Sequence, residues 1–315
     1  MGSTLRITPP EDYCLSRDAC SYGYFLLAPN RWHPNTQTFT RVLATDAGVT
    51  RVAITQPGTG ERLTLRCDRA LDRASQQQVR AGISRMLRLD EPAETIAEFH
   101  KVDKRWRKSG RGRLFRSPTL FEDIIKTVTS CNVQWPSTVH MNRRLCEVLG
   151  DKHDAGGSFP TSAKVARTRP STLRARCRFG YRDARTVELA KLHRKGAIDE
   201  AWLEDPATPD DDVRAFLISL PGIGPYAAAN IMQLLGRYAH LPLDTESVRH
   251  GKVVLGMTGT DAEIMKKIDK HFAPFGEHRF RSYWFELWAF YESKRGPAHT
   301  WDQDEVGSTF TASQL

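Results

Sequence analysis

The chain has 315 residues, 40% hydrophobic and 26% charged, enough to bury a sizeable core divided into two or three subdomains. It contains no apolar run of about 18 residues, which argues against a transmembrane helix, and Met1 to Asp12 lacks the apolar stretch of a signal peptide. The formal net charge of +9 suits a polyanionic partner, since a basic surface releases the counterions of phosphate chains, although a merely basic soluble protein gives the same sum.

Six cysteines (Cys14, Cys20, Cys67, Cys131, Cys146 and Cys177) lack C-x-x-C spacing. That fits reduced thiols in an intracellular compartment, cytoplasm and nucleoid or nucleus, and no metal site is expected.

Residues 1–71 read as a β-rich domain. Short β-type runs at Tyr22–Leu27, Thr38–Leu43, Val49–Thr55 and Arg62–Cys67 alternate with turn signals at Pro29-Asn30, His33-Pro34-Asn35, Asp46-Ala47-Gly48 and Pro57-Gly58-Thr59-Gly60. An antiparallel sheet is the expectation. From residue 72 the period changes, with Val79, Ile83, Met86 and Leu87, then Ile96 and Phe99, at helical spacing. Residues 72–296 read as an all-helical core. Its breaks fall at Lys108–Arg113, Gly150–Thr161, Arg178–Tyr181, Asp205–Asp210 and Gly256–Thr260. Residues 297–315 read as a polar, frayed tail. The fold class is therefore α+β, a sheet domain followed by helices.

Between Asp211 and Arg249 lies the segment that carries chemistry. Val213, Phe216 and Leu217 mark one amphipathic helix, and Leu220-Pro221-Gly222-Ile223-Gly224 breaks it. Pro225 suits the first turn of a second helix, which stops at Gly236. Gly222 and Gly224 allow a tight turn that presents backbone N–H groups at a helix N-terminus, a good phosphate site. Pro225 removes one of those N–H groups. Beyond the hairpin, Leu241-Pro242-Leu243-Asp244 opens another helix. Asp244 is a helix N-cap on the plain reading.

Together, Leu220–Gly224 and Leu241–Glu246 resemble the motif of the helix-hairpin-helix DNA glycosylases. Leu114-Phe115-Arg116-Ser117-Pro118 with Phe121-Glu122, then Ser130-Cys131-Asn132, Arg144-Leu145-Cys146, Phe159-Pro160 and Phe179-Gly180-Tyr181-Arg182, follow in the order of the 8-oxoguanine glycosylases. The β-rich N-terminus is similar to the sheet domain shared by that branch and the bacterial inducible 3-methyladenine glycosylases. The resemblance covers Tyr13 to Lys294. It implies a base-excision enzyme, working as a monomer on duplex DNA containing a modified base. That base is extruded before its glycosidic bond is cut, with Asp244 stabilising oxocarbenium character and handling the attacking water. A helix start favours an ionised carboxylate there. No iron–sulfur cluster is implied, because no cysteine follows Cys177. The resemblance allows a monovalent cation bridging the hairpin to phosphate.

The family's bifunctional members carry a lysine two residues after the hairpin's last glycine, and here that residue is Tyr226. Tyrosine cannot form an imine, so water is the expected nucleophile and strand cleavage is not expected. Tyr226 lines the base pocket or packs a helix. Glu246 stands where 8-oxoguanine enzymes have histidine. Glu286 falls at a base-reading glutamine and Phe290 at a stacking phenylalanine, the plainer reading of Glu286 being a surface residue. An ionised carboxylate accepts hydrogen bonds only, which favours a cationic base or one rich in N–H donors. Asn132 is expected to fill the gap left by the flipped base, or simply to cap a helix. Gly222, Gly224 and Arg182 are expected at the DNA, and so is the basic run from Lys101 to Arg113, unless that run is a solvated linker. Trp135 wedges between bases or packs in the core. The alternative to an enzyme is a catalytically inactive lesion-binding protein of the same fold.

Overall fold

The computed structural model describes residues 2–309. Alternation of apolar and polar residues builds the sheet. β1 (Thr4–Ile7), β2 (Asn30–His33), β3 (Thr38–Thr45), β4 (Gly48–Thr55) and β5 (Leu63–Cys67) pair antiparallel in the order β1-β5-β4-β3-β2. The register sets Leu5 opposite Leu65, and Phe39 and Leu65 opposite Ile54. These side chains are buried together with Val79, Ile83 and Met86 of the helix Arg73–Met86, which covers one face of the sheet.

The expected antiparallel sheet is present, with two changes at its margins. Tyr22–Leu27, read as a strand, is a 3₁₀ turn over Gly23–Leu26 with every side chain buried. An apolar run with no polar alternation identifies burial but not strand geometry. Between the turns read at Pro29-Asn30 and His33-Pro34-Asn35 runs an edge strand that was not expected, β2 (Asn30–His33), and the chain reverses just beyond it, where β2 pairs back onto β3. The four-residue edge strand β1 escaped the pattern because it is so short.

The helices follow the sequence breaks closely, from Ala93–Val102 to Arg279–Arg295, and a small two-stranded ladder (Lys152–His153 with Gly156–Gly157) fills one break. The segment after Gly296, expected to fray, is folded as far as it is described: Trp301 and Val306 are buried against the sheet-side core, and Gln303 donates to the carbonyls of Leu26 and Asn30 at 2.9 Å. Trp301 packs in tilted contact with Phe25 and Trp288, so an apolar anchor that composition hides in a polar stretch holds it. Among the described residues no helix is long and apolar enough to cross a membrane.

Two apolar clusters result. One joins the sheet to the last long helix, and the other packs Leu120–Ser130 against the hairpin helices. A buried charge triad ties them. Arg41 of β3 meets Glu122 at 2.5 Å, and Lys126 meets the same carboxylate at 2.7 Å. Burial pushes the Glu122 carboxyl up, but Arg41 and Lys126 outweigh it and hold it below the usual range. Glu122→Gln leaves two buried cations unpaired and is expected to cost about 3–5 kcal/mol in urea unfolding. Because the folded carboxyl titrates low, its contribution is present above the ordinary glutamate pKa of about 4.3 and is lost as pH falls through the folded value. A loss under about 1 kcal/mol at pH 7, the size of an exposed pair, would mean that the triad does not tie the clusters.

Candidate active site

The hairpin forms for local reasons. Asp210–Ser219 and Pro225–Leu235 are joined by Leu220–Gly224, and Pro225 begins the second helix where its missing N–H costs nothing. Gly222 sits at φ +78°, and a β-carbon there would lie 2.7 Å from Cδ of Arg185. Gly224 is extended (φ −99°, ψ −176°), and a β-carbon there meets nothing within 4 Å. The loop therefore turns at Gly222 and leaves an open approach at Gly224, the geometry in which a phosphate can meet a helix N-terminus. At the far end, Arg88 donates to the carbonyls of Gln233 and Leu234 at 2.7 and 2.8 Å, placing a cation at the helix C-terminus.

Pro242 and Leu243 lead to Asp244, the N-cap of Thr245–Val253. The N–H groups of Glu246 and Ser247 each donate to Asp244 Oδ1 at 3.0 Å, and the Ser247 hydroxyl lies 3.3 Å from the same oxygen. Asp244 N–H donates to Ser247 Oγ at 3.2 Å, completing a capping box. No hydrogen bond reaches Oδ2 among the described residues. The helix start does not leave this carboxyl at its usual acidity. Burial pushes it up, and the charge of Glu246 adds to the rise, against the lowering by the Ser247 and Glu246 contacts. Desolvation outweighs the helix terminus here.

Asp244 lines a cavity of about 390 Å³. Tyr226 enters from the hairpin helix, one turn before Asn230. Tyr22 and Tyr24 come from the N-terminal 3₁₀ segment, and Trp135 from the start of Trp135–Leu149. The wall opposite the hairpin is the last long helix, through Tyr283, Trp284, Leu287, Trp288 and Tyr291. Aromatic rings thus make eight of the twenty lining residues. The floor is a satisfied network. Tyr22 donates to Asn230 Oδ1 at 2.7 Å, and Asn230 Nδ2 lies 3.3 Å from Tyr24 Oη and 3.2 Å from Thr127 Oγ1. Asp244 and Glu246 are the only charged side chains lining the cavity among the described residues. Glu246 Oε1 accepts from Arg249 Nε at 2.8 Å and from Tyr291 at 2.5 Å, while its buried Oε2 has no partner.

Solved structures share the overall fold. MBOgg1 in complex with a low-affinity DNA ligand aligns at a TM-score of 0.68 and 16% identity, over 92% of this chain and 97% of that one. The 3-methyladenine DNA glycosylase of Archaeoglobus fulgidus gives 0.68 and 15%, over 92% and 99%. The Clostridium acetobutylicum 8-oxoguanine glycosylase/lyase, in complex with double-stranded DNA containing cytosine opposite 8-oxoG, gives 0.63 and 16%, over 92% and 98%. No protein-family model matches the chain, and no curated protein sequence matches it significantly. The fold is that of the helix-hairpin-helix DNA glycosylases.

Within that glycosylase fold the expected residues are placed unevenly. Asp244, Tyr226 and Glu246 meet in one cavity. Glu286 does not join them. It is bonded to buried His250 at 2.8 Å and paired with Arg105. Phe290 is likewise outside, stacked under Arg249 at 4.6 Å and Lys294 at 5.4 Å. Their neighbours Leu287 and Tyr291 line the cavity instead, because one residue on a helix turns the side chain by about 100°. The residues missed on this helix are Tyr283, Leu287 and Tyr291, with Trp284 and Trp288 beside them; the first three recur at four-residue spacing, but aromatic residues on the other faces mask that stripe.

Asn132 is exposed at φ +52° on the loop after Leu120–Ser130, with Nδ2 3.4 Å from the exposed Tyr181 hydroxyl. Arg182, expected at DNA, is 5% exposed and directs its guanidinium to the carbonyls of Val128, Cys131 and Asn132. It braces the Asn132 loop from beneath. In the basic run, Arg105, Arg111 and Arg113 are committed to Glu286, Glu292 and Asp12. Lys101, Lys104, Arg107 and Lys108 remain exposed. Among the described residues no group of three or more His, Cys, Asp or Glu side chains is arranged to hold a metal ion.

The two glycines should separate on substitution. Gly222→Ala is expected to lower stability by about 1–2 kcal/mol, from the left-handed backbone, whereas Gly224→Ala should leave a urea melt within about 0.5 kcal/mol of wild type. Equal losses would contradict the open approach assigned to Gly224.

Proposed function

We propose that the protein is a monofunctional DNA glycosylase, hydrolysing the N-glycosidic bond of a modified base flipped from duplex DNA. The observation that carries this reading is Asp244, with one carboxylate oxygen committed to its helix and the other unbonded, in the wall of an aromatic cavity beside the hairpin. A base inside the stack is out of reach of any such carboxylate, so the nucleotide is rotated out and held between rings. The hairpin loop holds backbone phosphate, and Asn132, braced by Arg182, enters the space left in the duplex. Similar chains bound to DNA support this partner.

In the reaction, the C1′–N bond breaks and its electron pair leaves with the base. Asp244 stabilises the positive charge that develops on the sugar. Water oxygen bonds to C1′, and Asp244 takes a proton from it. No lysine lines the cavity among the described residues, so no amine is placed to form an imine with C1′. Lys126 is buried behind it in its ion pair with Glu122.

The same composition points to the base. Two carboxylates and eight rings, with no arginine, lysine or histidine lining the cavity among the described residues, suit a cation far better than a neutral base. They also offer no side chain to protonate a neutral leaving group, since burial keeps the Tyr22 and Tyr226 phenols from ionising near neutral pH. An N-alkylated base already carries the positive charge, and it departs neutral without a proton.

The test uses duplexes bearing a panel of alkylated and oxidised bases, each reaction divided between hot alkali and no alkali. Breaks that appear only after alkali, on cationic N-alkylated bases first, are expected. Asp244→Asn should reduce release by about 10²–10³-fold. Strand breaks without alkali would place an amine at C1′ and overturn the monofunctional reading, and binding without release from any duplex would favour a lesion-binding protein. Because Asp244 acts ionised and its carboxyl is raised in the fold, the rate should fall with acidification at a pH above the ordinary aspartate value of about 3.9. Glu246→Gln should slow release of cationic bases by about tenfold, the loss of ~1.4 kcal/mol of charge attraction, and leave neutral bases unaffected.

A further inference from the structure

We propose that Tyr283 is a positioning residue for this reaction: acting through Ser247, its hydroxyl fixes which oxygen of Asp244 caps the helix and which is free to act. The inference rests on the glycosylase reading for its purpose, and on hydrogen-bond geometry for its content.

Ser247 Oγ lies within bonding distance of three groups: Asp244 N at 3.2 Å, Asp244 Oδ1 at 3.3 Å and Tyr283 Oη at 2.8 Å. A hydroxyl has one proton to give and two lone pairs to receive with. The Asp244 N–H can only donate, and an ionised Oδ1 can only accept. If Ser247 gave its proton to Tyr283, two oxygens bearing lone pairs would face each other across 3.3 Å. The arrangement without conflict runs one way: Tyr283 donates to Ser247, and Ser247 donates to Asp244. Donors in series polarise one another and strengthen the last bond of the chain.

The phenol is held to this task. Its ring meets Phe272 edge-on at 5.4 Å and His250 edge-on at 6.0 Å, so the hydroxyl cannot swing away. Burial, and then the charge of Asp244, keep it protonated. Oδ1 therefore collects three donors, the N–H groups of Glu246 and Ser247 and the Ser247 hydroxyl, while Oδ2 collects none. The carboxylate is pinned in rotation by one oxygen and keeps its basicity on the other.

The titratable groups facing Asp244 come from five directions. Glu246 lies on its own helix, Tyr226 on the hairpin helix, Tyr22 beside the 3₁₀ segment, Cys131 on the loop before Trp135–Leu149, and Tyr283 on the last long helix. Tyr283 is the one that touches Ser247.

The sign of one shift decides between the two proton directions. The experiment follows Asp244 twice in full-length protein, by carboxyl carbon NMR titration without DNA and by the acidic limb of single-turnover base release. Ser247→Ala removes a donor from the carboxylate, so both midpoints should rise by about one unit. Tyr283→Phe should raise them by roughly half a unit, since the relay loses its first donor, and should lower kcat while KM stays put. Ser247→Thr, which keeps the hydroxyl, should restore the wild-type limb. If Ser247 instead donated to Tyr283, removing the phenol would free its proton for Asp244 and the midpoint would fall. A fall, or no change, in Tyr283→Phe overturns the proposal. The NMR arm needs no turnover. Absence of base release from every duplex, with the expected NMR shifts intact, would defeat the glycosylase reading and leave the relay standing.

Discussion

Asp244 has to satisfy two demands with one carboxylate, and much of the site follows from how they are divided. A helix start leaves N–H groups without partners, and Oδ1 takes two of them as well as the Ser247 hydroxyl. That fixes the side chain to the helix Thr245–Val253, whose position is set by packing Val248 in the sheet-side core. The second oxygen is then aimed by the first. A solvated carboxylate on a loose loop would be more acidic but not as well directed, and in the proposed reaction at a single carbon a loss of aim of an ångström is costly.

The cavity around it can exist because its walls are rings rather than aliphatic chains. Rings keep their shape with few torsions, so the space persists between two cores instead of collapsing. Each wall is anchored from behind. Tyr22 and Tyr24 are tied to Asn230 and Thr127, Trp284 donates to the Ser21 carbonyl at 2.8 Å, and Trp288 packs on Trp301. The terminal segment thus supports the wall by covering Trp288. The Arg41–Glu122–Lys126 triad joins the sheet to the helical core directly behind Tyr24, over which Lys126 also lies at 5.7 Å.

The sequence made the hairpin legible because glycine and proline declare their backbone needs, and Asp244 because it follows an apolar run at a helix start. The order of elements was readable from periodicity. What failed to show was rotation about an axis. The last helix is aromatic on nearly every face, so its pattern of Tyr, Trp and Phe does not say which stripe faces the cavity, and Glu286 was placed one residue away from the lining positions. Its charge is partnered by Arg105 and by a histidine that is fully buried, outside the residues that line the cavity. Tyr22–Leu27 failed for a related reason: apolar at every position, it carries no period at all. Arg182 was misplaced because an arginine that braces a loop and one that touches phosphate are the same letter, distinguished only by burial.

The cavity is also an uncomfortable place for its own charges. Asp244 is raised by burial, and Glu246 keeps one buried oxygen without a partner even after Arg249 and Tyr291 have taken the other. An acceptor left unmet in a desolvated site costs about 1–3 kcal/mol, and two carboxylates two residues apart on one helix turn repel. A neutral base with N–H donors could meet the unpaired oxygen but would leave the repulsion between the two carboxylates in place. On the proposed function, a cationic base relieves those costs on entry, and in leaving as a neutral molecule it would hand the need for charge to the sugar, next to Asp244. Under the proposed function, selectivity and catalysis would draw on the same electrostatic imbalance, one at binding and the other at bond cleavage.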